Sequence, residues 1–198
     1  MYTWMSDPKA HNYAFRKALG YVRNKRGRAG SDSVRETFQH TTHQMISIRS
    51  PYMPSYLPLK SFVIILQIIK NSLGDKKIVT SDRKTDRCYD VGFYLYTGPE
   101  EGDSPYHYLD PHKPLSDVVS EFYHNLATAS AIFKNCETEL TIEDSKIKIK
   151  WKGCEEYIEL FYYLEGLHAG MIKESISDGV QKARKTRDNL IFEIELIE

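Results

Sequence analysis

The chain has 198 residues, 41% hydrophobic and 27% charged, with 27 basic and 27 acidic residues and no net charge. This length buries a core without disulfides, and this balance excludes wholesale disorder. Cys88, Cys136 and Cys154 lie too far apart for a CxxC zinc pair or a disulfide framework, which fits a reducing compartment.

The neutral total conceals a polarity along the chain. Residues 1–35 hold eight Lys/Arg against Asp7 and Asp32, whereas residues 100–165 hold fourteen acids against six lysines. One end therefore seeks anions and the other is suited to cations. The 14 tyrosines, each with an apolar ring and a polar tip, suit half-buried sheets and contact surfaces. No basic start with an apolar run marks a secretory signal, and the most apolar segment, Phe62 to Ile69, is too short to span a bilayer.

Asp7-Pro8 pairs an N-cap residue with a proline at the first helical position and predicts a helix as far as Gly27. Ala10, Ala14, Ala18, Tyr21 and Val22 form its weak apolar stripe, crowded by Arg16, Lys17, Arg23, Lys25 and Arg26. GRAGSDS (Gly27 to Ser33) reads as a flexible linker. Residues 1–35 are thus expected to be a basic helical arm, and 36–198 a single globular domain. The alternation in Thr42 to Arg49 predicts a strand, and Ser50 to Pro58 a proline loop. Leu59 to Gly74 predicts a buried helix.

Tyr89 to Thr97 (YDVGFYLYT) has the aromatic and β-branched character of a strand. Val118, Val119, Phe122, Leu126, Ala129 and Phe133 keep a 3.6-residue period and predict a helix from Ser116 to Lys134. Thr138, Leu140 and Ile142, then Asp144-Ser145, then Ile147, Ile149 and Trp151, spell a β-hairpin with Lys146, Lys148, Lys150 and Lys152 on its other face. Glu156 to Leu164 fits either an extension of the sheet or the start of the next helix, its Tyr/Phe/Ile density favouring a strand; Gly166 to Lys185 reads as a helix and Leu190 to Ile197 as a last strand. The order predicts an α+β fold: a mixed, mainly antiparallel sheet with helices on one face, preceded by the arm.

Catalytic signatures are weak. Among the seven histidines, His40 and His43, and His107 and His112 around Asp110, lack metal-ligand spacing; no GxSxG elbow or phosphate-binding glycine loop occurs. SxxK at Ser6, Ser81 and Ser145 has no companion elements. Cys154 with His168 is one of many arbitrary pairs, and Gly166 to Gly170 has the GxxxG spacing of close backbone packing. No enzyme activity, metal or cofactor is expected. The arm, through Arg16, Lys17, Arg23, Lys25, Arg26 and Arg28, is the candidate surface for anionic membrane or nucleic acid. The lysine face of the hairpin serves more naturally as a guard against edge aggregation than as an anion stripe. Pro51, Tyr52, Pro54, Tyr56 and Leu59 form a candidate partner-docking loop containing a YxxL pattern, repeated at Tyr106 and Tyr157.

Taken in order, RKALGYVRNKRGRAG, MISIRSP, LKSFVIILQIIKNSLG, YDVGFYLYTG and TELTIED make the chain resemble a rhabdovirus matrix protein, although neither PPxY nor PTAP is present. That resemblance implies a structural virion protein, peripheral on the inner membrane leaflet. It would bind anionic membrane and nucleocapsid, self-associate and engage host budding machinery. From the carboxyl end, EYIELFYYLEGLHAGMIKESI with NLIFEIELIE resembles the TRAPP-type adaptor fold, which implies a trafficking adaptor or a small-ligand sensor. An RNA-binding protein is the third reading.

Overall fold

A computed structural model describes residues 7–46, 55–74, 86–98, 113–127, 132–143, 146–153, 156–175, 180–186 and 191–197. The chain enters through strand β1 (Lys9–His11), which pairs antiparallel with β2 (Tyr56–Pro58) on one side and β3 (Phe133–Lys134) on the other. Helix α1 (Asn12–Thr42) follows at once, its N-terminus capped by His11, whose Nδ1 accepts from the Tyr13 amide at 3.2 Å. The predicted start at Asp7-Pro8 is displaced because this segment is held in the small sheet, where the Pro8 carbonyl accepts from the Leu59 amide at 2.9 Å.

Nor is α1 a free arm. Tyr13, Ala14, Phe15, Ala18, Leu19, Tyr21 and Val22 are all buried in the core. The GRAGSDS segment is helical rather than a linker. Gly27 alone departs from helical geometry, at φ 68° and ψ −172°, and the kink turns the second half so that Ser31, Val34 and Phe38 pack inward. A positive φ of this kind suits glycine because no Cβ clashes with the backbone. The helix runs through Thr42, and residues 43–46 form no strand; the rest of the expected Thr42–Arg49 strand lies outside the described residues.

Helix α2 (Leu59–Leu73) is as anticipated, with Leu59, Phe62, Val63, Ile65, Leu66 and Ile69 buried. Residues 87–97 overturn the expectation of a strand: they form α3 (Arg87–Thr97), capped by Asp86, whose Oδ1 accepts from the Cys88 amide at 2.8 Å. Cys88, Val91, Gly92 and Leu95 are buried at helical spacing, so the 3.6-residue period was present beneath a strand-like composition. Lys70 pairs with Asp86 at 2.6 Å, and Arg87 and Tyr21 both reach Asp90, at 3.4 and 3.0 Å; α1, α2 and α3 are tied by this network. Burial, then the Asp90 charge, pushes the Tyr21 phenol up to about 12.

Helix α4 (Leu115–Ala127) is shorter than expected, since Phe133 and Lys134 belong to β3. The hairpin forms as predicted: β4 (Glu137–Glu143) pairs with β5 (Lys146–Lys152), matching Leu140 with Ile149 and Thr138 with Trp151. Residues 158–164 are not a strand but the first turns of α5 (Ile158–Ser175). Leu160, Leu164, Leu167, His168 and Met171 fall on one buried helical face. The helix ends well before Lys185; β6 (Val180–Thr186) follows, and β7 (Ile191–Ile197) closes the fold as expected.

The larger sheet has the order β4-β5-β7-β6, and every pairing among the described strands is antiparallel. Helices pack on the inner face of this α+β fold. On the outer face the register sets Glu139 beside Lys150 and Lys148 beside Glu195. The lysines of this face therefore stand beside carboxylates, as opposite charges on neighbouring strands prefer. Lys146 approaches Glu195 at 3.9 Å, and Lys152 binds Glu139.

Helices α3 and α5 make the most extensive helix contact of the fold. Glycine makes it feasible: a Cβ on Gly92 would stand 1.8 Å from the Tyr163 carbonyl oxygen, and one on Gly166 would stand 1.9 Å from that of Tyr89. The GxxxG spacing of Gly166 and Gly170 thus serves backbone packing, with Gly170 facing the Phe93 carbonyl.

Candidate functional site

The interior is a continuous run of rings. Phe15 on α1 meets Phe62 on α2 with centroids 5.1 Å apart, and Phe62 meets Tyr163 on α5 at 4.9 Å. Phe133 on β3 touches Phe62, Tyr163 and, at 5.7 Å, Trp151 on β5. Beyond Trp151 lie Tyr123 on α4 and His168 on α5. Six elements thus converge on one aromatic core, with most pairs edge-on as ring quadrupoles prefer.

Two polar features sit in this core. His168 is fully buried, with Nε2 3.1 Å from the Tyr123 hydroxyl and 3.4 Å from the Trp151 indole nitrogen. An indole N–H only donates, so Nε2 accepts and the ring hydrogen belongs on Nδ1. Burial alone drives the His168 pKa down to about 3, so the ring is neutral at physiological pH. Tyr163 is the second feature: its hydroxyl is buried and no described group hydrogen-bonds to it. Burial foremost, and then Tyr13, raises its pKa well above the ordinary phenol value. Both groups are held uncharged.

The basic residues named from sequence separate into two sets. Lys17 is buried: Nζ donates to the Gly98 carbonyl at 3.0 Å and lies 5.7 Å from the ring centres of Tyr13 and Tyr94. Arg16 is half-buried beside the Tyr13 ring. Arg23, Lys25, Arg26 and Arg28 are exposed around the Gly27 kink, Lys25 over the Tyr21 ring and Arg28 3.6 Å from Asp32. In the docking loop, Pro51, Tyr52 and Pro54 lie outside the described residues. Tyr56 is a β2 residue edge-on to His11, and Leu59 is buried.

His107, His112 and Cys154 lie outside the described residues, whereas His40 is exposed and His43 caps α1 in the left-handed region. Among the described residues no group of three metal-ligating side chains converges. No described helix is long and apolar enough to cross a membrane. Sequence reading missed the Tyr123–Trp151–His168 group because its members lie 45 and 17 residues apart on three elements. Only the inward alternation of Trp151 pointed to it.

The class defined by these features is an α+β domain that encloses an aromatic interior between helices and sheet. No protein-family model matches the chain, and no curated protein does. Solved structures do. An oxygen-binding H-NOX domain related to soluble guanylate cyclases, in its oxygen complex, aligns with TM-score 0.58 and 10% identity over 94% of both chains. An H-NOX protein mutant from S. oneidensis in the Fe(II) ligation state aligns at 0.59 and 12%, over 94% and 95%. A protein studied for control of heme redox potential by porphyrin distortion aligns at 0.60 and 9%, over 95% and 99%. At these identities the likeness establishes the fold.

That fold overturns the matrix-protein resemblance and the virion role it implied. The physical reason lies in α1: the supposed arm supplies much of the hydrophobic core, and Lys17 is enclosed within it. The partners expected through such an arm, an anionic membrane surface, nucleocapsid, RNA, further copies of the chain and budding machinery, fall with it.

Proposed function

We propose that this chain is a non-catalytic, ligand-sensing module that takes a small molecule into its aromatic interior. The observation that carries this reading is the end-to-end likeness to ligand-binding H-NOX structures. Two further features support it. The interior polar groups, His168 and Tyr163, are neutral and shut off from water, which suits recognition and not proton transfer. Helix α5 carries both groups and continues through a short connection into β6 and β7, so occupancy at its inner face bears directly on the sheet.

A heme, which one fold neighbour holds, does not fit the described residues. Heme iron needs an axial side-chain ligand with an available lone pair. Among the described residues the buried histidine is His168, which directs Nε2 at Tyr123 and Trp151. His11 uses Nδ1 to cap α1 and packs on Tyr56, while His40, His43 and His124 face outward. Burial holds the Cys88 thiol protonated. Phe62, Phe133 and Tyr163 are in mutual ring contact, and α3 meets α5 backbone to backbone.

Fluorescence of Trp151 in a chain carrying Trp4→Phe tests the reading, with a panel of small neutral apolar molecules as probes. A member of the panel should bind saturably, change the Trp151 emission and raise the melting temperature. If the whole panel leaves both unmoved, the sensing interior is refuted.

A further inference from the structure

We infer that His11 is an acid-sensitive latch: a proton taken up on its Nδ1 uncaps α1 and loosens the join between that helix and the small sheet. This goes beyond the ligand-sensing reading and does not depend on it. The latch stands at a junction. His11 is the last residue of β1 and the N-cap of α1, and its Nδ1 accepts from the Tyr13 amide at 3.2 Å. The adjoining backbone holds both flanking segments: the His11 amide donates to the Ile132 carbonyl at 2.6 Å, and the Asn12 amide to the Ser55 carbonyl at 2.9 Å. The small sheet in turn carries Phe133 on β3, which packs on Phe62, Tyr163 and Trp151, so the latch fastens one wall of the aromatic interior.

An imidazole cap differs from the usual oxygen caps of Ser, Thr and Asn because its acceptor is also its basic site. Neutral His11 accepts through Nδ1 only while the hydrogen sits on Nε2, and an imidazolium has two donors and no acceptor. Protonation therefore sets Nδ1–H against the Tyr13 N–H and leaves that amide without this partner. It also places a cation at the positive end of the helix dipole. The groups that neighbouring elements bring to the ring do not favour its charge. Arg16 acts on it from α1 as a like charge, and Lys9 lies on its own strand. From β2 it faces Tyr56 edge-on, with centres 5.0 Å apart, a phenol kept protonated by burial. From β3, the Lys134 Nζ already lies 5.6 Å from the centre of that Tyr56 ring. Burial first, and then Arg16, lowers the His11 pKa from its ordinary 6.5. The cap is thus intact at neutral pH, and its contribution is lost as pH falls below that value.

Nuclear magnetic resonance of the full chain, taken from about pH 7.5 to about 4.5, tests the latch through the ring nitrogens of His11 and through amide exchange. At the upper end the His11 hydrogen should sit on Nε2. As the ring titrates, protection of the Tyr13 amide should fall by about 2- to 30-fold, the range for loss of one N-cap. The His11 and Asn12 amides should lose protection with it. His11→Asn supplies an oxygen cap that does not titrate, and should hold all three amides level over the same range. An Nδ1–H tautomer at neutral pH, a ring that stays neutral throughout, protection that survives its titration, or a loss confined to the Tyr13 amide would each overturn the latch. These outcomes are read on the native chain, so they decide the matter even if the variant fails to fold. An equal loss in a folded His11→Asn chain would overturn it as well.

Discussion

The Tyr123 hydroxyl stands 3.1 Å from Nε2 of His168, joining α4 to α5 inside the core. With Trp151 it holds a neutral imidazole where a charged one would be isolated from water. The unfolded chain takes up a proton on this residue near pH 6.5, whereas the folded ring resists until about pH 3. Stability from this residue is therefore complete above pH 6.5 and is lost as pH falls across that window. The slope approaches about 1.4 kcal/mol per pH unit. His11, also lowered by burial, adds in the same direction. His168→Phe should flatten the dependence of urea midpoint on pH between 6.5 and 4.

The glycines between α3 and α5 predict a graded series. Alanine at Gly92 or Gly166 gains up to about 1 kcal/mol of helix propensity. The new Cβ meets a backbone carbonyl at 1.8 or 1.9 Å, which rotamer changes cannot relieve. Overpacking should win, with a net loss of about 2 kcal/mol or more. Gly170→Ala, with its nearest neighbour at 3.1 Å, should cost less. Chemical denaturation of the three variants gives the order.

Lys17 and Lys25, both in α1, should behave as opposites. Lys17→Ala removes a buried side chain that spans two rings and satisfies the Gly98 carbonyl, and should cost on the order of 2 kcal/mol. Lys25→Ala should leave the melting temperature unchanged within error, because the side chain is exposed. Equal small effects at both positions would restore the picture of a free basic arm.

Charge reversal probes the outer face of the sheet. Lys150 lies opposite Glu139 in the strand register, so Lys150→Glu sets two carboxylates side by side. The melting temperature should fall, and added salt should reduce the loss. Lys150→Gln should cost less and respond less to salt.

How far the sequence disclosed this fold depended on whether local pattern and tertiary packing agreed. The β4–β5 hairpin was legible because Ile147, Ile149 and Trp151 alternate inward across a short turn, and α2 because its apolar run is long and ends at Gly74. Residues 87–97 were misread, and 158–164 stood open between strand and helix, because aromatic and β-branched side chains mimic a strand. Their helical state is favoured by the Gly92–Gly166 crossing, which a local window does not contain. The candidate site was hidden for the same reason. Tyr123, Trp151, Tyr163 and His168 belong to separate periodic faces that meet only once the helices dock on the sheet.

Titration of the purified full chain with hemin, followed by absorption in the Soret region, tests the central claim most directly. An aromatic interior for small molecules, with His168 turned to Tyr123 and Trp151, predicts that no heme complex depends on His11, His40, His43, His124 or His168. Stoichiometric uptake giving a histidine-ligated spectrum, abolished by replacing one of these five histidines, would contradict it.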